Sequence, residues 1–148
     1  MENKRKIRIN IILLILMINF TSCHNNKEYV NKLEGNWYSI QDNTYLEYFI
    51  KKNEIYVYSV AAGYLYKYDY IIRNDSIFNK LDENLKTDDY KFYNKILKIS
   101  PDTLHFSYRK LIRLDNENSL EDLILKKINK EEYVASNLKR EEKNNRSN

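Results

Sequence analysis

Tyr64-Leu65-Tyr66-Lys67-Tyr68-Asp69-Tyr70-Ile71-Ile72-Arg73 is the stretch on which the fold turns. Tyr64, Tyr66, Tyr68, Tyr70 and Ile72 fall on one side of a two-residue period, and Lys67, Asp69 and Arg73 on the other; only a strand with one buried face sorts residues so. Upstream, Ala61-Ala62-Gly63 breaks the chain before it. Ile55 to Tyr58 reads as a strand reached through a turn at Lys51-Lys52-Asn53-Glu54. Before that turn Leu46, Tyr48 and Ile50 face one way, and Tyr45, Glu47 and Phe49 the other. A further strand starts near Leu33-Glu34-Gly35-Asn36-Trp37-Tyr38.

Downstream, Arg73-Asn74-Asp75-Ser76 turns the chain into Ile77-Phe78, and Asp82 to Asp89 is a polar loop. Tyr90 to Ile99 and Thr103 to Leu114 pair around Ser100-Pro101-Asp102, with Leu104, Phe106, Tyr108, Ile112 and Leu114 sharing a face. Residues 119–128 read two ways, since Ser119 with Asp122 could cap a helix and Leu123-Ile124-Leu125 could be a strand. The next residues favour the strand: Asn129 as N-cap, Glu132 at N3 and Ile128 facing Tyr133 start a new helix, devices a helix already running would not need. The expectation is therefore a last strand at 122–128 and a helix from Lys130 to about Lys143, packed through Tyr133, Val134 and Leu138. About eight short strands and one closing helix make an all-β, up-and-down antiparallel meander or barrel, closure being what removes exposed edges.

At the other end of the chain Lys4, Arg5, Lys6 and Arg8 precede an aliphatic run from Ile11 to Ile18, the order of a secretory signal peptide. The run falls short of the ~20 apolar residues that cross a bilayer. Residues 1–22 thus read as a leader, 23–32 as a tether, 33–143 as the β domain with its helix, and 144–148 as a fraying tail. Thr21-Ser22-Cys23 resembles the lipobox of bacterial lipoproteins, with Phe20 where that family usually has Leu. The resemblance implies diacylglyceryl transfer to Cys23 and cleavage before it, leaving a palmitate-type lipid anchor at the cell envelope, on the periplasmic or surface face of the outer membrane.

Without residues 1–22 the chain keeps 21 basic and 20 acidic residues, about +1, so the sequence pI near 8.9 carries no nucleic-acid reading. Lipidation of Cys23, the single cysteine, leaves no thiol for disulfides or metal. His105 is the only imidazole of the domain, with no second ligand at metal spacing. Two glycines provide no phosphate loop, and no serine sits in a nucleophile elbow. No metal, cofactor or catalytic residue is assigned, and no turnover is expected.

Gly35-Asn36-Trp37 resembles the Gly-x-Trp that opens the first strand of lipocalins, and Thr87-Asp88-Asp89-Tyr90 resembles their Thr-Asp-Tyr loop. The similarity extends to small lipocalin-like lipoproteins of Bacteroidota. It implies a barrel followed by a helix, shallow or incomplete here because only about 50 residues separate the motifs, with Lys126 or Lys127 standing in for the basic residue that the family stacks on its tryptophan. A ligand site lined by some of Trp37, Tyr56, Tyr58, Tyr66, Tyr68 and Tyr70 would take a small apolar or amphipathic molecule. Trp37 also reads as a plug at the barrel base, and the tyrosine face as plain core. The alternative function is a structural or accessory lipoprotein with a filled barrel, contacting another envelope protein or the peptidoglycan layer through an outer face that includes Tyr45.

Overall fold

The computed structural model describes residues 31–41, 44–80, 90–115 and 117–145. The leader, Cys23, most of the tether and Thr87-Asp88-Asp89 lie outside them. Eight strands, β1 (Gly35–Gln41), β2 (Thr44–Lys51), β3 (Glu54–Ser59), β4 (Tyr64–Arg73), β5 (Ser76–Lys80), β6 (Lys91–Ile99), β7 (Thr103–Phe106) and β8 (Lys110–Arg113), follow one another around a closed antiparallel barrel. Closure comes from β1 pairing with β8 at Trp37 and Arg113. The chain has the all-β antiparallel architecture that its alternation predicts, and the closed barrel with a C-terminal helix is consistent with a lipocalin-like fold.

The turns lie where the polar breaks put them. Lys51 pairs with Glu54 across Lys52-Asn53, and Arg73 with Ser76 across Asn74-Asp75, where Asn74 takes a positive φ that asparagine tolerates. After β3, the amide of Gly63 donates to Ser59 O at 2.9 Å. Leu33, Trp37, Tyr48, Ile50, Ile55, Val57, Tyr70, Ile77, Ile96, Leu104, Phe106 and Leu111 form one buried cluster inside the barrel.

The eighth strand arises differently from the sequence expectation. Residues 103–114 are two strands, split at Ser107-Tyr108-Arg109, and the split resets the side-chain parity. Leu104 faces Leu111 across the pair, so Leu111 is buried in place of Ile112, and Tyr108 is 71 % exposed at the turn.

Residues 122–128 form no strand. Leu120–Ile124 is a helix, α1, opened by a capping box between Ser119 and Asp122. It ends in a Schellman pattern, with Lys126 N to Leu123 O at 3.1 Å, Lys127 N to Asp122 O at 2.9 Å, and Lys126 at φ 57°. The cap at Asn129 is real: its Oδ1 accepts from Glu132 N at 2.9 Å and its own amide donates to Glu132 Oε2 at 3.2 Å. The break it marks separates two helices, not a strand from a helix. The second, α2 (Lys130–Asn145), reaches into the segment expected to fray.

Both helices lie on the outer face of the barrel wall. Phe49, Tyr58, Leu120 and Tyr133 form a second buried cluster there, with Tyr56, Leu123, Ile124 and Val134 packed against it. Tyr133 stands edge-on to Tyr58 at 5.0 Å. Asn36 on β1 fastens α1 by donating to Glu121 Oε2 at 3.0 Å and accepting from the Glu121 amide at 3.1 Å. Leu138, expected in the packing face, is 47 % exposed; α2 instead turns Tyr133, Asn137 and Arg140 inward.

Under α2 sits Glu47, 0 % exposed. Its Oε1 accepts from Arg140 Nε at 2.7 Å and Tyr45 Oη at 2.9 Å, and its Oε2 from Tyr133 Oη at 2.8 Å and Arg140 Nη2 at 3.1 Å. Burial, and then the Glu47 charge, hold the Tyr45 and Tyr133 phenols well above their ordinary pKa. Four donors on one carboxylate satisfy a charge that would otherwise be costly to bury.

Candidate functional site

The two ends of the barrel differ in kind. At the end where β1 begins and β8 finishes, Trp37 is fully buried and its Nε1 donates to Leu33 O at 2.9 Å. The guanidinium of Arg113 lies 3.9 Å from the centre of the indole ring, and its Nη1 donates to Glu34 O at 2.7 Å. Its Nε donates to Pro101 O at 3.2 Å, tying in the β6–β7 turn. Gly35 has φ 122°, and a Cβ there would collide with the Arg113 guanidinium. Glycine, tryptophan and arginine are thus one device: the missing side chain at 35 makes room for the cation that stacks on 37. Lys126 and Lys127 play no part, since they follow α1 on the outside. Arg113 does: it shares the inner face with Leu111 on β8, a parity set by the turn at Ser107-Tyr108-Arg109. Tyr70 belongs to this end too, buried with its hydroxyl unpartnered and its pKa pushed up by burial and then by Glu34.

At the opposite end the inner face of β4 climbs out of the core. Tyr68 packs against the interior, Tyr66 is 45 % exposed and Tyr64 is 65 % exposed. The Tyr66 and Tyr68 rings stack at 6.3 Å and 7°, and Tyr64 continues the ladder 6.3 Å beyond. Facing them from the β7–β8 turn is Arg109, which sequence reading did not single out because its own turn hid its parity. Its Nη1 donates to Tyr48 Oη at 2.6 Å, and its guanidinium lies 5.6 Å from the centre of Tyr93 and 5.9 Å from that of Tyr48. Ser39 Oγ donates to the same Tyr48 oxygen at 3.3 Å. Burial works against the Arg109 cation, but the phenols of Tyr48 and Tyr93 outweigh it and hold its pKa above the ordinary value. Tyr68 and Tyr93 are shifted up, first by burial, with Arg109 opposing the shift in both.

Of the six residues expected to line a ligand site, Tyr66 and Tyr68 reach this mouth. Trp37 and Tyr70 lie at the closed end. Tyr56 and Tyr58 do not face the interior at all: they pair across β2 with Phe49 and Glu47, on the outer face beneath the helices. The error was one of parity, since Val57 between them is the inward residue. Tyr45, expected on an outward contact face, is sealed under α2.

Outside the wall, a cleft of about 650 Å³ runs by the β2–β3 turn, past Lys52, Asn53, Asp69 and Tyr90. In it Glu54 bridges Lys51 and, beyond the cleft, Lys67, each at 3.0 Å, and these bonds bring its carboxyl down to about 2. Among the described residues no cluster of histidine, cysteine or acidic side chains could hold a metal ion, and no helix is long and apolar enough to cross a membrane. No protein-family model, curated protein or solved structure matches the chain.

Proposed function

We propose that this protein is a lipid-anchored envelope protein whose barrel binds a small amphipathic molecule through its open end, without chemical turnover. The anchor rests on the basic head, the short apolar run and Thr21-Ser22-Cys23. The binding role rests on one observation above all: the interior is plugged by Trp37 and Arg113 at one end and lined at the other by stacked, partly exposed tyrosines around a half-buried arginine. Ligand sites combine apolar and aromatic walls with a few convergent polar groups, and this end has both. The exposed rim of Tyr64, Leu65, Tyr66 and Tyr108 also suits a second role, docking on another envelope protein.

Mass spectrometry of protein extracted from membranes checks the anchor. A diacylated or triacylated N-terminal Cys23 is expected; an uncut Met1, or a Cys23→Ala variant still cleaved at the same place and membrane-bound, refutes it. Binding is checked with fluorescent amphiphiles that brighten in apolar surroundings. Quenching of Trp37 would be a poor reporter, since the indole lies at the closed end. Saturable binding lost in a Tyr66→Ala/Tyr68→Ala variant supports the barrel site, and absence of any binding shifts the reading to docking.

A further inference from the structure

The mouth of the barrel is rich in donors and poor in acceptors. Arg109 Nε is out of contact with solvent and has no hydrogen-bond partner. The Tyr48 oxygen accepts from both Arg109 and Ser39, so its own proton is left over. Among the described residues no acceptor takes that proton or those of Tyr68 and Tyr93, and no carboxylate faces the guanidinium. The contrast with two other arginines is plain, because Arg113 spends its donors on the Glu34 and Pro101 carbonyls and Arg140, under α2, closes on Glu47. Among the described residues this guanidinium is held by phenols and meets no carboxylate, the ordinary counterpart of a buried arginine.

We propose that Arg109, with Tyr48, Tyr68 and Tyr93, is an anion site that takes the acidic head of an amphipathic organic anion, seated head-inward with its apolar body along Tyr66 and Tyr64. The inference deepens the binding role and rests on it. With Nη1 committed to Tyr48, the edge that carries the unpartnered Nε is the fork of Nε and Nη2, whose two parallel N–H groups match the oxygens of a carboxylate or sulfonate. Because Nε is covered, a surrounding phenol swings aside as the head enters. Below the site the interior is filled by Val57, Ile96, Leu104 and Phe106, so the tail has no room to go deeper and the acid must lead. Above it Tyr66, stacked on Tyr68, and Tyr64, tilted by 57° to Tyr66, are largely uncovered and offer aromatic surface.

The test compares two fluorescent probes that differ only by the acid: 8-anilinonaphthalene-1-sulfonate and uncharged N-phenyl-1-naphthylamine. Both are titrated into the full chain in lipid nanodiscs and corrected with empty discs. The sulfonate is expected to bind at least tenfold more tightly, because a charge-assisted hydrogen bond contributes about 1.5–3 kcal/mol. Arg109→Gln should erase that preference while leaving the uncharged probe within about twofold. Dodecanoate, but not dodecanol or acetate, should displace the sulfonate from the unaltered protein, a readout that needs no variant to fold. Equal binding of both probes, unchanged by Arg109→Gln, overturns the anion site and leaves the binding role standing. Displacement by acetate as readily as by dodecanoate overturns the amphipathic class. Binding of neither probe overturns both the anion site and the binding role.

Discussion

Among the described residues Glu47 is the carboxylate that Arg140 meets, and its replacement by leucine removes that partner. The guanidinium would be left beneath α2 with two longer bonds, to Glu117 O and Asn118 O, each at 3.3 Å. Breaking one side of a buried pair costs about 3–5 kcal/mol, and the same range applies to Arg140→Met, which strands the carboxylate. The double variant removes both charges but still deprives the Tyr45 and Tyr133 hydroxyls of their acceptor, at about 1–3 kcal/mol each when buried. It should therefore recover part of the loss, giving a coupling between positions 47 and 140 of about 2 kcal/mol or more. Urea unfolding of the four proteins measures the cycle, and hydrogen exchange on α2 shows whether the helix undocks before the barrel opens. Single variants costing less than about 1 kcal/mol, or effects additive within about 0.5 kcal/mol, would refute the view that this pair clamps the helix to the wall.

Gly35→Ala should destabilise by about 2 kcal/mol or more, since its methyl must displace Arg113 and its backbone holds φ 122°; thermal denaturation reads this, and a shift within error would mean the arginine moves freely. Trp37→Ala should cost about 3–5 kcal/mol as a buried aromatic, again by urea unfolding, whereas a loss below about 0.5 kcal/mol would be incompatible with the plug. The phenols of Tyr45, Tyr70, Tyr93 and Tyr133 are all raised above 10.0, so the unfolded chain loses these protons first and stability falls as pH rises beyond about 10. Absorbance at 295 nm followed with circular dichroism should show them ionising only as the sheet unfolds; full ionisation of every tyrosine with the sheet intact would contradict their burial.

Strand alternation carried most of the barrel, because a period of two survives in Tyr64 to Ile72 even in a tyrosine-rich chain. It failed where a turn reset the parity: Leu111 displaced Ile112, and Arg109 and Arg113 came to the inner face unannounced. It also failed where both faces are buried. Phe49 and Tyr58 look like inner residues by composition, and only the presence of α1 and α2 above them explains their apolarity. The strand expected at 122–128 came from reading two successive N-caps as evidence against a first helix, when a Schellman turn lets two helices follow each other. The Gly-x-Trp motif was legible; its third member was not, because stacking on Trp37 depends on barrel closure between the first and last strands.

The clasp on Glu47 also bears on how the molecule is made. Its donors are separated from the carboxylate by as many as 93 positions, and Arg113 reaches back 79 to Glu34. Contacts so distant in sequence form late, after a large loss of chain freedom, so folding should be slow for a chain of this size. A polypeptide interrupted before residue 130 could complete every strand and still carry in its wall a carboxylate met by Tyr45 alone, with Tyr58 lacking the cover of Tyr133. Such a product would be exposed to proteases at the very place where the finished molecule is sealed, which makes the final helix a test of completeness as well as a cover.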